Sequence, residues 1–241
     1  MLCVLMPAYN CERYVEGAIR SILEQERPMA LRILVADDGS TDGTAAVVRG
    51  LAAQHGEVSL FETENRGVAA ARNLLLSHLP DETHLVSFLD ADDAMPAHRI
   101  ARDVALLEKS PEADLVYGRM CMVASRAPDL RGEDIAECTR ARGASVSAGT
   151  FRIDLIRLNG AFDPSFTHGE DLDYLLRMFE RRPEAILLDE DSILYRRHGE
   201  GATSDMAALR RGILRAMMLH TRRLRNDPAL AKVDTLFSFD A

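Results

Sequence analysis

The sequence is poor in several residue types, and each shortage restricts what the protein can be. Among its 241 residues there is no tryptophan, there are only two lysines, and the four cysteines are scattered without CxxC spacing. Such cysteines in a chain of this size predict reduced thiols in a cytoplasmic protein, not a disulfide-stapled scaffold. No apolar run approaches the length of a membrane-spanning helix, about 20 residues. The apolar start ends at Pro7 without a basic region, so no signal peptide is predicted.

The charge is acidic in sum and uneven along the chain. There are 29 Lys and Arg residues against 38 Asp and Glu residues, a formal net charge of −9, and 47% of the residues are apolar. These fractions are ordinary for a packed globular protein and exclude wholesale disorder. Residues 203–241 hold seven basic and four acidic residues, a charge of +3, which leaves −12 for residues 1–202. An acidic body disfavours nucleic acid as a partner, whereas an anionic small molecule would need a cation or local arginines beside it.

Short apolar runs alternate with amphipathic segments over the first half of the chain. Strands are expected at 2–6, 31–36, 58–61, 85–89 and 115–117, with helices between them. This alternation predicts an α/β fold with a mostly parallel sheet and helices on both faces. Polar loops follow three of the strands, at 7–10, 37–40 and 90–93. Because ligands of such sheets bind beyond the carboxyl ends of the strands, we expect these loops to converge on one site.

The second half of the chain is less regular. Helices are expected at about 96–109, 150–158, 170–181 and 206–224, and two short strands at 185–188 and 193–195. The last helix combines six arginines with leucine, isoleucine and methionine. It either packs its apolar stripe on the domain, the interpretation we favour, or makes peripheral contact with an anionic membrane through residues 206–225.

The loop after the fourth strand concentrates carboxylates. Asp90 and Asp92 lie on the same side of an extended segment, and Asp93 follows them. Magnesium takes oxygen ligands and commonly joins one or two carboxylates to substrate phosphates, so the pattern suits a metal–diphosphate complex. A calcium loop does not fit, because Met95 stands where that loop needs glycine and Ala101 where it needs glutamate. An acidic loop without any ligand is the alternative.

Two other acidic motifs also have simple structural alternatives. Asp37-Asp38-Gly39-Ser40 is either a turn that caps a helix or a loop in which Asp38 accepts a hydrogen bond from a base or a ribose. Glu170-Asp171 either places favourable negative charge in the first turn of a helix or supplies a catalytic base.

Five motifs in order along the chain resemble family 2 glycosyltransferases with the GT-A fold. They are Val4-Leu5-Met6-Pro7-Ala8-Tyr9-Asn10, the stretches 37–44, 65–73 and 89–93, and the pair 160–163 with 169–173. The resemblance covers residues 2–200. It implies a glycosyltransferase domain at 1–202, with a nucleotide-sugar half at 1–118 and an acceptor-side half at 119–202. Residues 203–241 would form a basic helical extension.

The resemblance implies a role for each matched position. On the donor side, Pro7, Ala8, Tyr9 and Asn10 would border the nucleotide base, Asp38 would bind it, and Arg66, Gly67 and Arg72 would lie near the base, ribose or diphosphate. Asp90, with Ala91, would face the ribose and sugar, and Asp92 would ligate Mg²⁺ or Mn²⁺. Arg196 or Arg197 would screen the diphosphate. His198 would be a third metal ligand, donate to a phosphate, or be structural like most single histidines. On the acceptor side, Asp171 would be the general base and Glu170 its competitor.

The implied activity is the transfer of one sugar, with inversion, from a nucleoside diphosphate sugar to a hydroxyl of a glycan or a lipid-linked saccharide. UDP is the favoured nucleotide, and a divalent metal is required. Leu172 stands where the family often has an aromatic residue, and QxxRW is absent, which disfavours a processive synthase. Two alternatives remain: a catalytically degenerate nucleotide-sugar-binding or scaffold protein, and an aspartyl phosphatase with Asp90 as nucleophile.

Overall fold

The computed structural model describes residues 1–125, 127–128, 130, 138–197, 205–233 and 238–239. The strands are β1 Leu2–Ala8, β2 Leu31–Asp37, β3 Val58–Glu62, β4 Leu85–Phe88, β5 Leu115–Val123, β6 Thr139–Arg142, β7 Gly149–Arg152, β8 Ala185–Arg196 and β9 Ser238–Phe239. The helices are α1 Val15–Leu23, α2 Thr44–Gln54, α3 Val68–Ser77, α4 Arg99–Lys109, α5 Ile153–Asn159, α6 Glu170–Phe179 and α7 Met206–Asn226.

One half of the sheet is parallel and the other half is mixed. The parallel strands lie in the order β3-β2-β1-β4. Beyond β4, the strand β7 pairs antiparallel with both β4 and β5, and β8 runs parallel to β5 along its other edge. The predicted α/β fold with a largely parallel sheet and flanking helices is confirmed, and it has an antiparallel extension in addition.

The first strand forms the centre of the core. All seven residues of β1 are buried, as expected of a continuous apolar run covered on both faces. Helix α3 packs beside it through Ala71 and Leu75, which are inaccessible to solvent. Because β1 lies between β2 and β4, its end stands between the ends of both neighbours.

The boundaries differ from the prediction mainly in the second half. Residues 150–152 are not helical but belong to β7, because this strand fills the space between β4 and β5. Helix α4 begins at Arg99 and not at Pro96, since His98 adopts a left-handed conformation with φ of 62°. The two short strands predicted after residue 184 are one strand, β8, with a register shift opposite Arg119.

Two of the four cysteines are paired. Cys121 near the end of β5 and Cys138 before β6 form a disulfide, with their Cα atoms 5.5 Å apart. The prediction of four reduced thiols is wrong for this pair. β5 and β6 are adjacent antiparallel strands, and Cys121 lies opposite Arg140, which is only two residues from Cys138. Cys3 and Cys11 are free and buried.

Helix α7 packs on α6 through a narrow inner face. Its buried residues are Gly212, Ala216 and His220. The favoured expectation that the larger apolar residues cover the domain is wrong for the most exposed of them, Leu214 and Met218. No helix among the described residues is long and apolar enough to cross a membrane. The predicted domain boundary at residue 202 lies outside the described residues.

Candidate functional site

The carboxyl ends of three parallel strands meet at one edge of the sheet. The backbone N–H of Asp38, just after β2, donates to the carbonyl of Ala8 at 2.8 Å. On the other side of β1, the N–H of Leu89 donates to the carbonyl of Leu5 at 3.1 Å. The three polar loops predicted from the sequence therefore lie side by side, as the rule for ligand sites in parallel sheets requires.

The loop after β1 is tied to the loop after β2. Asn10 has a left-handed backbone with φ of 49°. Its N–H donates to Ser40 Oγ at 2.9 Å, and its side-chain oxygen accepts from the Thr41 N–H at 2.8 Å. Pro7 and Ala8 are buried, whereas Tyr9 is 49% exposed at this edge. Tyr9 is thus the residue of this loop with an aromatic surface open to a ligand.

The carboxylate of Asp38 holds the entry to α3. It is buried, and its two oxygens accept from the N–H groups of Arg66 at 2.9 Å and Gly67 at 2.7 Å. Gly67 has φ of 89°, a conformation that favours glycine. A carboxylate has about four lone-pair positions, so Asp38 retains acceptor capacity. The side chain of Arg66 points outward and is 70% exposed.

Arg72 links the carboxylate that follows β4 to the two carboxylates at the start of α6. Its side chain is 2% exposed. Nη2 donates to Asp90 Oδ1 at 2.8 Å, and Nη1 donates to Glu170 Oε1 at 3.0 Å and to Asp171 Oδ1. The guanidinium also lies 5.3 Å from the centre of the Phe162 ring. The structure therefore brings together Arg72, Asp90, Glu170 and Asp171, which lie up to 99 residues apart in sequence.

This cluster holds three carboxylates and one guanidinium, and their burial and mutual charges shift the pKa values of its members. Burial raises the pKa of Asp171 to about 7; Arg72 opposes this shift, and Glu170 and Asp90 add to it. Burial also raises the pKa of Asp90, with Arg72 again acting in the opposite direction. Although burial favours the neutral form of Arg72, the three carboxylates raise the pKa of its guanidinium. Asp171 thus titrates close to neutral pH, where a general base is most effective.

The position of Asp171 comes from the start of α6. Gly169, the residue before this helix, is left-handed with φ of 81°. This turn places Glu170 and Asp171 in the first helical turn, where the helix dipole favours negative charge. Asp171 Oδ2 accepts from the N–H of Val146 at 3.0 Å. Asp171 is therefore held on both oxygens and keeps 15% of its side chain exposed.

An arginine stabilises the acidic loop after β4 through hydrogen bonds that the sequence did not predict. Arg196 is buried, and its Nε donates to the carbonyl of Asp92 at 2.7 Å. Its N–H donates to Asp93 Oδ1 at 2.7 Å, and its guanidinium lies 4.5 Å from the centre of the Tyr14 ring. The pKa of Asp93 is raised well above its usual range by burial and by the charges of Asp92 and Asp90.

The remaining predicted site residues differ in how they face the loop. Ala91 is buried. Arg197 is exposed, and its N–H donates to the carbonyl of Val123 at 2.8 Å. His198 lies outside the described residues, so its role as a metal ligand stays a prediction.

Another buried arginine, Arg99, was not singled out by the sequence reasoning. Arg99 is 1% exposed, and it donates to the carbonyls of Ser147, Gly149 and Ser192 at 2.6–2.9 Å. It also donates to Ser87 Oγ at 2.9 Å. Arg99 thereby joins α4, β4, β7 and β8 behind the site. No local pattern marks such a residue, because its partners come from distant segments.

Comparison with known proteins identifies the sequence relatives. A family model described as "Glycosyl transferase family 2" matches residues 3–154. Among curated proteins, the chain is similar to the putative glycosyltransferase EpsE of Bacillus subtilis (strain 168), with 35% identity over 108 residues, which are 44% of this chain and 38% of EpsE. The chain spans between 22% and 43% of the length of the first four curated relatives it matches.

Solved structures share the fold. S. aureus TarS 1–349 in complex with UDP-GlcNAc superposes with a TM-score of 0.74 at 22% identity, covering 97% of this chain and 68% of that one. The mannosyltransferase PcManGT from Pyrobaculum calidifontis, in complex with GDP-Man and Mn²⁺, gives 0.68 at 24% identity, covering 98% and 66%. At these identities the likeness establishes the fold.

Proposed function

The chain belongs to glycosyl transferase family 2, and from this premise we propose that it transfers a single sugar from a nucleoside diphosphate sugar to an acceptor hydroxyl, with inversion at the anomeric carbon. We propose UDP as the nucleotide, by analogy with the TarS complex with UDP-GlcNAc. A glycan or a lipid-linked saccharide is the proposed acceptor. A cytoplasmic location stays a prediction.

The observation that carries this proposal is the pair of carboxylate centres that Arg72 connects. Asp90 stands at the end of β4, where the donor would bind, and Glu170 and Asp171 stand at the start of α6. Arg72 contacts all three. A metal-assisted inverting transfer needs carboxylates on both sides of the reacting carbon, because one set holds the cation that stabilises the leaving diphosphate and the other takes the proton of the acceptor.

The residues after β4 fit a divalent cation. The Asp92 charge raises the pKa of both Asp90 and Asp93, so three adjacent carboxylates share an excess of negative charge. Asp93 Oδ2 is buried and has no hydrogen-bond partner among the described residues. Oxygen ligands of this kind suit Mg²⁺ or Mn²⁺, and Mn²⁺ accompanies GDP-Man in PcManGT. Asp92, with Asp90, would hold the ion, which when bound stabilises charge on the leaving diphosphate.

On the acceptor side, Asp171 is the proposed general base and Glu170 the competing candidate. The acceptor oxygen forms a bond to the anomeric carbon, its proton passes to the carboxylate of Asp171, and the bond to the diphosphate breaks with its electron pair leaving on phosphate oxygen. Two of the lone-pair positions of Asp171 accept from Arg72 and Val146, which leaves others for the incoming hydroxyl.

The experiment that tests this proposal is a calorimetric panel of UDP-, GDP- and dTDP-sugars with MnCl₂. We expect one donor class to bind and Asp92→Ala to lose the metal-dependent part of that binding. Asp154→Ala is the matched control, since Asp154 is an 89% exposed aspartate on α5. Equal metal-dependent binding in Asp92→Ala would remove the metal assignment. Donor binding without transfer to any member of a broad acceptor panel would favour a degenerate binding protein.

A further inference from the structure

The outer face of α7 concentrates the exposed apolar side chains of the described chain. Among the described residues, eight large hydrophobic residues are exposed, and five of them lie on this helix: Met206, Ile213, Leu214, Met217 and Met218, at 39–72% exposure. A single exposed leucine is ordinary on a protein surface, whereas a contiguous patch on one helix face marks an interaction site.

The attachment of α7 to the domain does not use this face. The inner face packs through Gly212, Ala216 and His220. Arg223 donates to Asp173 at 2.9 Å and to Glu180 at 2.9 Å, and His220 contacts Glu180 at 2.6 Å. The helix is therefore docked by small residues, by ion pairs and by Leu219, which packs against the cluster of Leu176 and Ala216, and its most exposed aliphatic side chains remain on the outside.

The charge of the same helix selects the kind of partner. Its 21 residues include six arginines and no aspartate or glutamate, whereas residues 1–202 carry a formal charge of −12. Arg210, Arg222 and Arg225 are exposed and form no ion pair with any residue that the structure describes. Aliphatic groups beside unpaired arginines match a surface that is apolar below and anionic above, which is the composition of a lipid bilayer with acidic headgroups.

We propose that α7 docks in the plane of an anionic membrane, with Leu214 and Met218 inserted among the lipids and the exposed arginines at the phosphates. A second copy of the chain fits this face poorly, because two such helices would bring rows of unpaired arginines together. The surface is independent of the proposed transferase activity.

Membrane docking would also orient the candidate active site. The carbonyl of His168 and the N–H of Gly169 lie against Gly212 of α7, and Glu170 and Asp171 follow directly. A helix with its side chains is about 10 Å across. Docking through the outer face would therefore hold the turn before α6 about one helix diameter from the headgroup layer, on the side where a lipid-linked acceptor would be presented.

Vesicle co-sedimentation tests the proposal. The purified chain is mixed with vesicles of phosphatidylcholine alone or of phosphatidylcholine with phosphatidylglycerol. We expect binding to the anionic vesicles only, weakened by NaCl. The variant Leu214→Ser/Met218→Ser should bind at least about tenfold more weakly, because it loses the inserted apolar groups. Leu158→Ser is the matched control, since Leu158 is a 58% exposed leucine on α5, and it should bind like the parent.

Other outcomes would overturn the proposal. Equal sedimentation of parent and double variant would show that α7 is not the contact. No vesicle binding, with a dimer in light scattering that the double variant abolishes, would make the face a self-association surface. No vesicle binding by a monomer would point to an acidic protein partner. Circular dichroism confirms folding of each variant, and donor calorimetry on the same samples reports the proposed function separately.

Discussion

At the scale of single residues, Arg72 has the greatest influence on the candidate site. It is the cation shared by Asp90, Glu170 and Asp171, and its Nε has no hydrogen-bond partner among the described residues. A buried charge of this kind is stable only while its partners remain, and removing one member commonly costs about 3–5 kcal/mol. The cluster therefore fixes the relative positions of its carboxylates and also sets how they titrate.

Glu170→Gln is predicted to move the acid side of the activity profile to lower pH. Glu170 raises the pKa of Asp171, which lies at about 7. Without that negative charge, the pKa of Asp171 falls, on the order of one unit, so more of the base is ionised below neutrality. The measurement is the rate of nucleoside diphosphate release from the bound donor as a function of pH, with water or simple sugars as acceptors.

Asp171→Asn is the companion variant, and it separates the two candidate bases. It should keep donor binding and lose about 10²–10⁴-fold in turnover, the usual contribution of a general base. The opposite pattern would assign the base to Glu170. In that case Glu170→Gln would be inactive, and Asp171→Asn would remain active with the same loss of rate at low pH as the parent.

Much of the candidate site could be predicted from residue types, but its contacts could not. The sequence predicted that the loops after β1, β2 and β4 converge, because such loops lie at the same edge of a parallel sheet. It did not predict that Arg72 would join Asp90 to Glu170 and Asp171. Nor did it predict that Asp38 would hold the backbone of Arg66 and Gly67, or that Arg196 would support the loop of Asp92. The contacts of Asp38 and Arg196 join segments between 28 and 104 residues apart, and no local pattern specifies such pairings.

At the scale of elements, the contact between α6 and α7 depends on glycine. A Cβ added at Gly212 would lie 2.0 Å from the His168 carbonyl oxygen, so Gly212→Ala must push α7 away from the start of α6. We expect a loss of about 1–3 kcal/mol of stability, as for other overpacked interfaces. Turnover should fall more than donor binding, because Asp171 follows the displaced turn. Thermal unfolding and the release assay measure the two effects.

Gly50→Ala is the matched control for this substitution. Gly50 also lies inside a helix, α2, but an added Cβ there meets nothing within 4 Å. Alanine should therefore stabilise the protein by about 0.5–1 kcal/mol through helix propensity alone. If both variants behaved alike, the close approach of α7 to α6 would not be what holds Glu170 and Asp171 in position.

Periodicity predicted the elements well where the chain builds strand–helix units and less well where it does not. β1 through α3 lie where apolar runs and amphipathic spacing indicate. The errors at 150–152 and at the start of α4 have separate causes. β7 is four residues long and is inserted antiparallel between two strands. His98 delays the start of α4 by its left-handed backbone. Neither feature changes the hydrophobic pattern that the prediction used.

At the scale of the whole molecule, charge is divided between an acidic body and a basic helix. The body carries −12 and the last 39 residues carry +3. Added ions therefore favour the binding of an anion to the body and weaken the binding of an anion to the last 39 residues. Added salt screens the repulsion between the body and a diphosphate, and it also screens the attraction between α7 and anionic lipid. A divalent cation bound by Asp90 and Asp92 would do more than screen, because it would join protein carboxylates and phosphates directly.

This difference predicts the outcome of an ion-matched titration. The nucleoside diphosphate selected by the donor panel is titrated into metal-free protein, then in NaCl and in MnCl₂ at the same ionic strength. We expect NaCl to change the affinity only slightly and MnCl₂ to raise it by roughly tenfold or more, since direct coordination greatly exceeds Debye screening. A gain in NaCl as large as in MnCl₂ would mean that ions act only by screening, and then Asp90 and Asp92 would hold no metal. Removal of MnCl₂ with EDTA should reverse the gain, because the carboxylates would again repel the diphosphate.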